Sequence, residues 1–146
     1  MGLGIFEQFT EVYASLDEIC QRACHFVDIF NPSLGALYSN ISITSNSSSW
    51  TITNNHFYQS ANYSGLNSNT YSMIYIGAGG GYTITGNYLG GQGPNCSGLP
   101  YTITSGNLDL RGIMIDAPVS GAACTISNNT ISNIFYTTSM TAANYA

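Results

Sequence analysis

The amino-acid sequence predicts an all-β protein, a right-handed parallel β-helix of about three to four coils preceded by an amphipathic helix. First, three stretches repeat the same order of features: an I-x-I segment, a turn, a T-I-[ST] segment, a Gly/Asn turn and a short apolar pair. Second, apolar and polar residues alternate within each segment, as in strands that bury one face. Third, the connections differ in length while the segments keep their pattern, which is typical of stacked repeats with external loops.

The central isoleucines of the T-I-[ST] segments define the predicted core. Ile52, Ile84 and Ile126 occupy equivalent positions in the three repeats. Each coil of a repeat stack can bury its apolar face only against the coils above and below it. These three side chains are therefore predicted to form one column in the interior. The right-handed sense follows from the strong preference of parallel crossover connections.

Three asparagines, Asn55, Asn87 and Asn129, follow these segments at equivalent positions. Asn and Gly tolerate the left-handed backbone that a sharp corner requires. Stacked Asn side chains also hydrogen-bond to one another along a stack of strands. We therefore predict that the three residues form a structural ladder at a turn.

A fourth stretch, Tyr101–Leu108, resembles Tyr82–Leu89, but no I-x-I segment precedes it in residues Gly90–Pro100. We interpret Gly90–Asp109 mainly as a long excursion that could pair against the stack. A fourth strand position within the repeat is the alternative.

The N-terminal part of the chain has a different pattern. Apolar residues recur there at three- and four-residue steps: Phe9, Val12, Leu16, Ile19, Ala23, Phe26 and Phe30. This spacing predicts an amphipathic helix that stops at Asn31-Pro32. Residues 1–32 are interpreted as a cap on the first coil, which stacked repeats require, with association between helices of different copies as the alternative. Residues 33–146 form the predicted repeat domain, which we expect to be incomplete at its C-terminal end.

Composition narrows the possible partners. The chain has two Arg and no Lys, too little positive charge to neutralise a phosphate backbone, so nucleic acid is not an expected partner. No apolar run is long enough to span a bilayer, and no cofactor motif is present. Cys20 and Cys24, beside His25, lack the second ligand pair of a zinc site, so we predict no metal.

The body is rich in Asn, Ser, Thr, Gly and Tyr, which indicates an extracellular or cell-surface protein, although no signal peptide is visible.

Low charge also predicts an association property. Charged residues make up 6% of the chain, and charge is a common protection of exposed strand edges. We therefore expect self-association, including end-to-end stacking into a filament, unless further β-helix coils continue the stack.

Candidate catalytic residues are few. Asp109, Arg111 and Asp116 lie within one segment, where two carboxylates could act as acid and base and the guanidinium could orient an acidic sugar. The alternative is an ordinary surface ion pair. His56 is predicted to be a surface residue.

Two surfaces are candidates for binding. Tyr58, Tyr63, Tyr71, Tyr101 and Tyr136 are predicted in loops, where exposed rings stack on sugars and Asn side chains add hydrogen bonds. This arrangement favours neutral glycans.

The second surface is a T-x-T array on the outer face of the strands. Its members share the positions that flank the core isoleucines: Thr51, Thr53, Thr83, Thr85, Thr125 and Ser127. Regular Thr arrays on flat β-helices resemble ice-binding faces, whereas solvent-facing strands also favour Thr for general reasons.

The repeat pattern, with the run Gly86–Gly91 followed by Asn95–Gly98, resembles the parallel β-helix proteins of the pectate-lyase-like superfamily, in particular secreted bacterial surface proteins. The resemblance covers Leu37 to Ile134. It implies a β-helix and leaves activity open, because the superfamily includes lyases, hydrolases, adhesins and spacers. We expect a non-catalytic structural or adhesive module, with a partial or degenerate polysaccharide lyase or glycoside hydrolase as the alternative.

Overall fold

The computed structural model describes residues 25–27, 37–44, 48–65, 70–105, 108–116 and 121–138. Within these ranges the chain forms strands connected by turns, with one 3-10 turn at Pro94–Cys96. The strands are β1 His25–Val27, β2 Leu37–Ile43, β3 Thr51–Thr53, β4 His56–Tyr58, β5 Tyr63–Gly65, β6 Thr70–Ile76, β7 Thr83–Thr85, β8 Tyr88–Leu89, β9 Tyr101–Ser105, β10 Asp109–Ile115, β11 Thr125–Ser127, β12 Thr130–Ile131 and β13 Ile134–Thr138.

The strands assemble into four sheets in which all ladders are parallel. The orders are β1-β4-β8-β12 (sheet A), β10-β6-β2 (sheet B), β11-β7-β3 (sheet C) and β13-β9-β5 (sheet D). The chain therefore visits the four sheets in a fixed order three times. The first pass is β2–β5, the second β6–β9 and the third β10–β13. The predicted all-β class and parallel pairing are confirmed.

Register places the repeated isoleucines side by side. Ile52 pairs with Ile84, and Ile84 with Ile126. Ile84 is fully buried and Ile52 nearly so, whereas Ile126 is 49% exposed. The difference arises because β11 lies at the end of its sheet, so that Ile126 has a neighbouring strand on one side in the described part of the chain.

The core lies between the sheets and is aliphatic and aromatic. Its largest fully buried side chains include Tyr71, Tyr82, Phe57 and Met73 beside the isoleucines. Trp50 and Cys124, which occupy the position of Tyr82 in the other passes, pack against this core.

The corner after sheet C depends on left-handed backbone at one column of residues. Asn54, Gly86 and Asn128 have φ values of 56°, 67° and 55°. A Cβ atom at Gly86 would lie 2.4 Å from the Asn54 Oδ1, so this position favours glycine on both conformational and steric grounds. The left-handed residues thus directly precede the asparagines of the predicted ladder.

The interpretation of Gly90–Asp109 as an excursion is wrong for Tyr101–Ser105, where the alternative of a fourth strand position is correct. Tyr101–Ser105 forms β9, which pairs in parallel with β5 and β13. Each pass contains four strands, and the I-x-I segment of the second pass lies in β6, so no second I-x-I segment is needed before β9. Of the described residues in Gly90–Asp109, residues 90–100 lie outside the strands of the stack.

The predicted N-terminal helix falls mainly on residues outside the described ranges. Its part at His25–Val27 is wrong, because these residues form β1 and pair in parallel with β4. Phe and Val favour strands, and pairing with β4 outweighs the helical spacing of the apolar residues.

Candidate functional site

A buried ladder of carboxamides links the three passes. Asn55 donates from its backbone nitrogen and Nδ2 to Asn87 Oδ1, both at 3.0 Å. Asn87 repeats this pattern toward Asn129 Oδ1 at 3.0 and 2.8 Å. Asn87 Nδ2 also donates to the Ile52 carbonyl, and Asn129 Nδ2 to the Ile84 carbonyl. The predicted ladder residues are therefore interior, and their hydrogen bonds connect equivalent positions.

The ladder has a direction. Each Oδ1 accepts from the preceding pass, and each backbone nitrogen donates to the following pass. Asn55 Oδ1, in the first pass, is buried without a hydrogen-bond partner. In the third pass, the Asn129 backbone nitrogen points to where a following Oδ1 would lie.

In the described part of the chain, the third pass ends all four sheets on one side, and we call this side the terminal face. It consists of the outer edges of β10–β13 and the inward side chains of these strands. A groove of about 530 Å³ opens there, and its lining is Ile113, Ile115, Ile126, Ser127, Asn128, Asn129 and Ile131.

The terminal face carries the residue types that pair inside the stack. Ile115 and Ile131 are 36% and 52% exposed, whereas their partners Ile76 and Leu89 are fully buried. Gly112 approaches this apolar cluster closely, since a Cβ there would lie 2.5 Å from Ile131 Cδ1. The face thus presents an apolar centre and strand edges next to which the described ranges place no further strand.

The candidate catalytic residues are spread along the edge strand β10. Arg111 donates from Nε and Nη2 to Asp109 Oδ2 at 2.9 and 2.6 Å, and both side chains are nearly half exposed. The hydrogen bonds that Arg111 donates to Asp109, and the negative charge of the same carboxylate, raise the Arg111 pKa. Asp116 lies beyond the other end of β10, on the order of 20–25 Å from Asp109 at strand spacing. This is farther than the separation of about 5–9.5 Å in glycoside hydrolases, so the two carboxylates do not form an acid–base pair.

The five candidate tyrosines do not form an exposed platform. All five lie in strands, so their prediction as loop residues is wrong. Tyr71 and Tyr101 are 2% and 1% exposed and belong to the core. Tyr63 and Tyr136 are half-buried and pack against the core, where both pair with Ile103. Inward orientation at these positions follows from the register of sheet D, which the sequence alone did not reveal. Tyr58 is half-buried and lies outside the core cluster.

The exposed aromatic side chain on sheet D is instead Phe135, at 56% exposure. It pairs with Thr102 on the outward face. The alternation of Ile134, Phe135 and Tyr136 is the signal from which its orientation could have been inferred.

The Thr residues do form a regular surface on sheet C. Thr51, Thr83 and Thr125 are in register, and so are Thr53, Thr85 and Ser127. All six side chains are at least partly exposed. The array is two residues wide and three strands long.

His56 is not the surface residue that the sequence suggested. It is 9% exposed, because residues 90–100, which we call the cover loop, fold over the outer face of sheet A. Its Nδ1 accepts a hydrogen bond of 3.0 Å from the backbone nitrogen of Asn95. Its ring stacks on Tyr88 with the centroids 5.3 Å apart and the planes 4° from parallel. The Gly- and Pro-rich composition of the loop predicts turns, but nothing local in the sequence indicates that it packs on β4.

The cysteines and the possible metal ligands were examined for a site in the described part of the chain. Cys96 and Cys124 are free thiols, and Cys20 and Cys24 lie outside the described residues. Within the described ranges, no three His, Cys, Asp or Glu side chains come together as a metal site. The same ranges contain no helix with the length and apolar character to cross a bilayer.

We compared the chain with known protein families, curated proteins and solved structures. No protein-family model, curated protein or solved structure matches the chain. Function must therefore be inferred from the geometry of the passes, the terminal face and the exposed surfaces.

Proposed function

We propose that this chain is a right-handed parallel β-helix module that serves a structural or adhesive role in an extracellular surface protein or filament. Four parallel sheets, visited in the same order by three passes, support this architecture. The repeat pattern further suggests kinship with the pectate-lyase-like superfamily. The module is proposed to be non-catalytic.

The observation that carries this proposal is the match between the terminal face and the interfaces inside the stack. Within the stack, each interface combines parallel strand pairing, apposed isoleucines and the Asn ladder. The terminal face offers the same three elements. A β-coil of a longer stack or of another copy would meet it with the contacts that already join the passes.

Light scattering over a concentration series tests association at this face. We expect the apparent mass of the wild type to rise with concentration, and Ile126→Lys to suppress the rise because a charge would enter the apolar centre. Leu99→Lys is the control, since Leu99 is 70% exposed in the cover loop, outside the terminal face. A wild type that stays monomeric throughout, or an Ile126→Lys variant that associates normally, contradicts the proposal.

A glycan array combined with an activity screen on polyuronates tests the non-catalytic assignment. Tyr58, Tyr75 and Phe135 are described aromatic side chains outside the core that could stack on neutral sugars. We expect binding or inertness without turnover. Turnover that is lost in Asp116→Asn would instead favour the alternative, a partial or degenerate polysaccharide lyase or glycoside hydrolase.

The register of the Thr residues favours a second candidate function, binding to ice. Parallel strands place equivalent hydroxyls about 4.8 Å apart across sheet C, and β-branched side chains hold them stiffly. Thermal hysteresis of the wild type and of Thr83→Tyr, which would interrupt the centre of the array, tests this function. Absence of hysteresis in the wild type rejects it.

A further inference from the structure

We propose that the outer face of sheet D, beside the cover loop, binds a neutral sugar chain that stacks on Phe135. We call this site the sheet D surface, and it consists of Asn62, Gln92, Thr102 and Phe135. The inference rests on the adhesive form of the proposed function, because it gives that role a class of ligand and a place on the fold.

Phe135 is exposed for a different reason from the isoleucines of the terminal face. Those isoleucines point inward and have no following strand beside them in the described part of the chain. Phe135 points outward, since its neighbours Ile134 and Tyr136 both pack against the core. A further coil would therefore not enclose this ring in a core, and its 56% exposure belongs to the outer surface.

Phe135 lies in a row of outward residues that crosses sheet D. It pairs with Thr102, which alternates with buried residues of β9. Asn62 extends the row in the first pass, because it directly precedes Tyr63, the partner of Ile103. At the spacing of neighbouring strands the row is about 10 Å long. One aromatic ring thus stands beside two polar residues over the length of two linked sugar rings.

Two carboxamides at the other end of this row are held in place by hydrogen bonds. Asn62 Oδ1 accepts from Gln92 Nε2 at 2.6 Å and from the Thr102 backbone nitrogen at 3.1 Å. Gln92 Nε2 also donates to the Pro100 carbonyl at 3.2 Å. The groups that remain for a ligand are the donor Asn62 Nδ2 and the acceptor Gln92 Oε1. Because both side chains are already ordered, a ligand binds them at a low cost in conformational entropy.

The chemistry of these groups fits a neutral sugar. A sugar hydroxyl both donates and accepts, so it can use either carboxamide, and the C–H face of a pyranose ring can cover an aromatic ring. β5, β9, β13 and the cover loop contain no Asp, Glu, Lys or Arg. A uronate would therefore lose hydration here without gaining an ion pair. The ligand class is a neutral β-linked chain, whose rings can lie flat on the sheet.

NMR titration of the full chain with neutral oligosaccharides tests the site. The probes are β-linked oligomers of glucose, mannose and xylose, and oligogalacturonate is the charged counterpart. We expect a neutral probe to shift the side-chain amide signals of Asn62 and Gln92 and the backbone amide signal of Thr102. Oligogalacturonate should leave these signals in place. Failure of every neutral probe to shift them would overturn the proposal.

The key variant is Phe135→Thr, which removes the ring and keeps a residue suited to strands. It should weaken binding of the neutral probe about tenfold, as expected for the loss of contact with roughly one face of the ring. Tyr75→Thr is the matched control, because it removes a half-buried ring outside the core on sheet B, and it should bind as the wild type does. Equal affinities of Phe135→Thr and the wild type would reject the site.

Asn62→Asp tests the carboxamide donor. This variant keeps an oxygen that accepts from Gln92 and Thr102, but it replaces the Nδ2 donor with a second oxygen. Affinity for the neutral probe should fall about fivefold, as expected for the loss of one hydrogen bond. An affinity equal to that of the wild type would contradict the assigned mode of binding.

Light scattering on the same samples separates this inference from the proposed function. Phe135 points to the outside of the stack, so Phe135→Thr should associate as the wild type does. A wild type that associates but binds no neutral probe rejects the sugar site alone. A wild type that binds the probe through Phe135 but stays monomeric supports the site and contradicts association at the terminal face. Should Phe135→Thr fail to fold, the wild-type titration decides, and shifts centred away from the sheet D surface reject the site.

Discussion

Individual buried carboxamides determine how successive passes of this chain align. Asn87 is fully buried, accepts two hydrogen bonds at Oδ1 and donates two from Nδ2. An aliphatic residue at this position would fill the space but would leave the polar groups of both neighbouring passes without partners. The residue is thus selected by hydrogen-bond geometry in a core that is otherwise apolar.

Asn87→Ala is therefore expected to lower the free energy of unfolding by on the order of 3 kcal/mol, because it leaves several buried polar groups unsatisfied. Urea unfolding followed by Trp50 fluorescence measures the change. Asn62→Ala is the control at an exposed position and should cost less than about 1 kcal/mol. Equal losses in the two variants would show that the ladder contributes no more than a surface contact.

The buried hydroxyl of Tyr71 gives the protein a response to alkaline pH. Burial raises the Tyr71 pKa above its ordinary value, while hydrogen bonds with Gln59 and Asn40 oppose the rise. The unfolded chain releases this proton above about pH 10, whereas the folded chain retains it. Stability should therefore be present below about pH 10 and decline above it, by up to about 1.4 kcal/mol per pH unit for this group.

Tyr71→Phe should reduce the slope of the free energy of unfolding against pH above about pH 10 by the equivalent of about one proton. At neutral pH it should cost about 1 kcal/mol, because the hydrogen bond to Asn40 is lost. The measurement is the free energy of unfolding in urea at about pH 8 and about pH 11. Phe135→Leu, which removes an exposed aromatic ring without an ionisable group, is the control and should keep the wild-type slope. An unchanged slope in Tyr71→Phe would assign the alkaline response to other groups.

At the scale of strands and sheets, the sequence predicts most accurately the elements that repeat. The isoleucine columns and the Asn ladder are visible because three copies of one pattern align. The fourth sheet was missed because β5, β9 and β13 read YSG, YTITS and IFYTT, which share no pattern beyond strand propensity. Parallel pairing across passes, not local sequence, makes them equivalent.

The placement of the candidate site depended on information that is not local. Tyr71 and Tyr101 resemble exposed loop residues until the sheet register turns them inward. His56 resembles a surface residue until a loop about forty positions later in the chain covers it. The sequence could supply the types of residue on these surfaces, but long-range contacts decide their exposure.

The central and terminal strands of sheet C should differ in their sensitivity to truncation. Ile84→Ala is expected to cost about 3–4 kcal/mol because it opens a cavity between two strands. At low protein concentration, Ile126→Ala should cost roughly half as much, since its side chain is half exposed. Urea unfolding of both variants at low and high concentration provides the comparison. A cost for Ile126→Ala that grows with concentration would match burial of the terminal face, and equal costs at low concentration would contradict the exposure of Ile126.

For the whole molecule, the scarcity of charge should make association insensitive to salt. The net charge is −5, and the ion pair of the described residues joins Asp109 and Arg111 on one strand. Screening therefore removes a weak repulsion and no attraction. Between about 0.05 M and about 0.5 M NaCl, the concentration midpoint of association should fall by less than about threefold. A midpoint that rises steeply with salt would indicate an electrostatic interface instead of an apolar one.

The one-way order of the carboxamides also makes the two ends of the stack unlike. Their dipoles point along the same axis, so the row ends in the buried Asn55 Oδ1 in the first pass and in the Asn129 backbone N–H in the third. Two copies that met by their terminal faces would oppose donor to donor, whereas a following coil that presents an Asn Oδ1 would meet this donor with an acceptor. An assembly built on this row of side chains would have two different ends, and every copy added to it would have the same orientation.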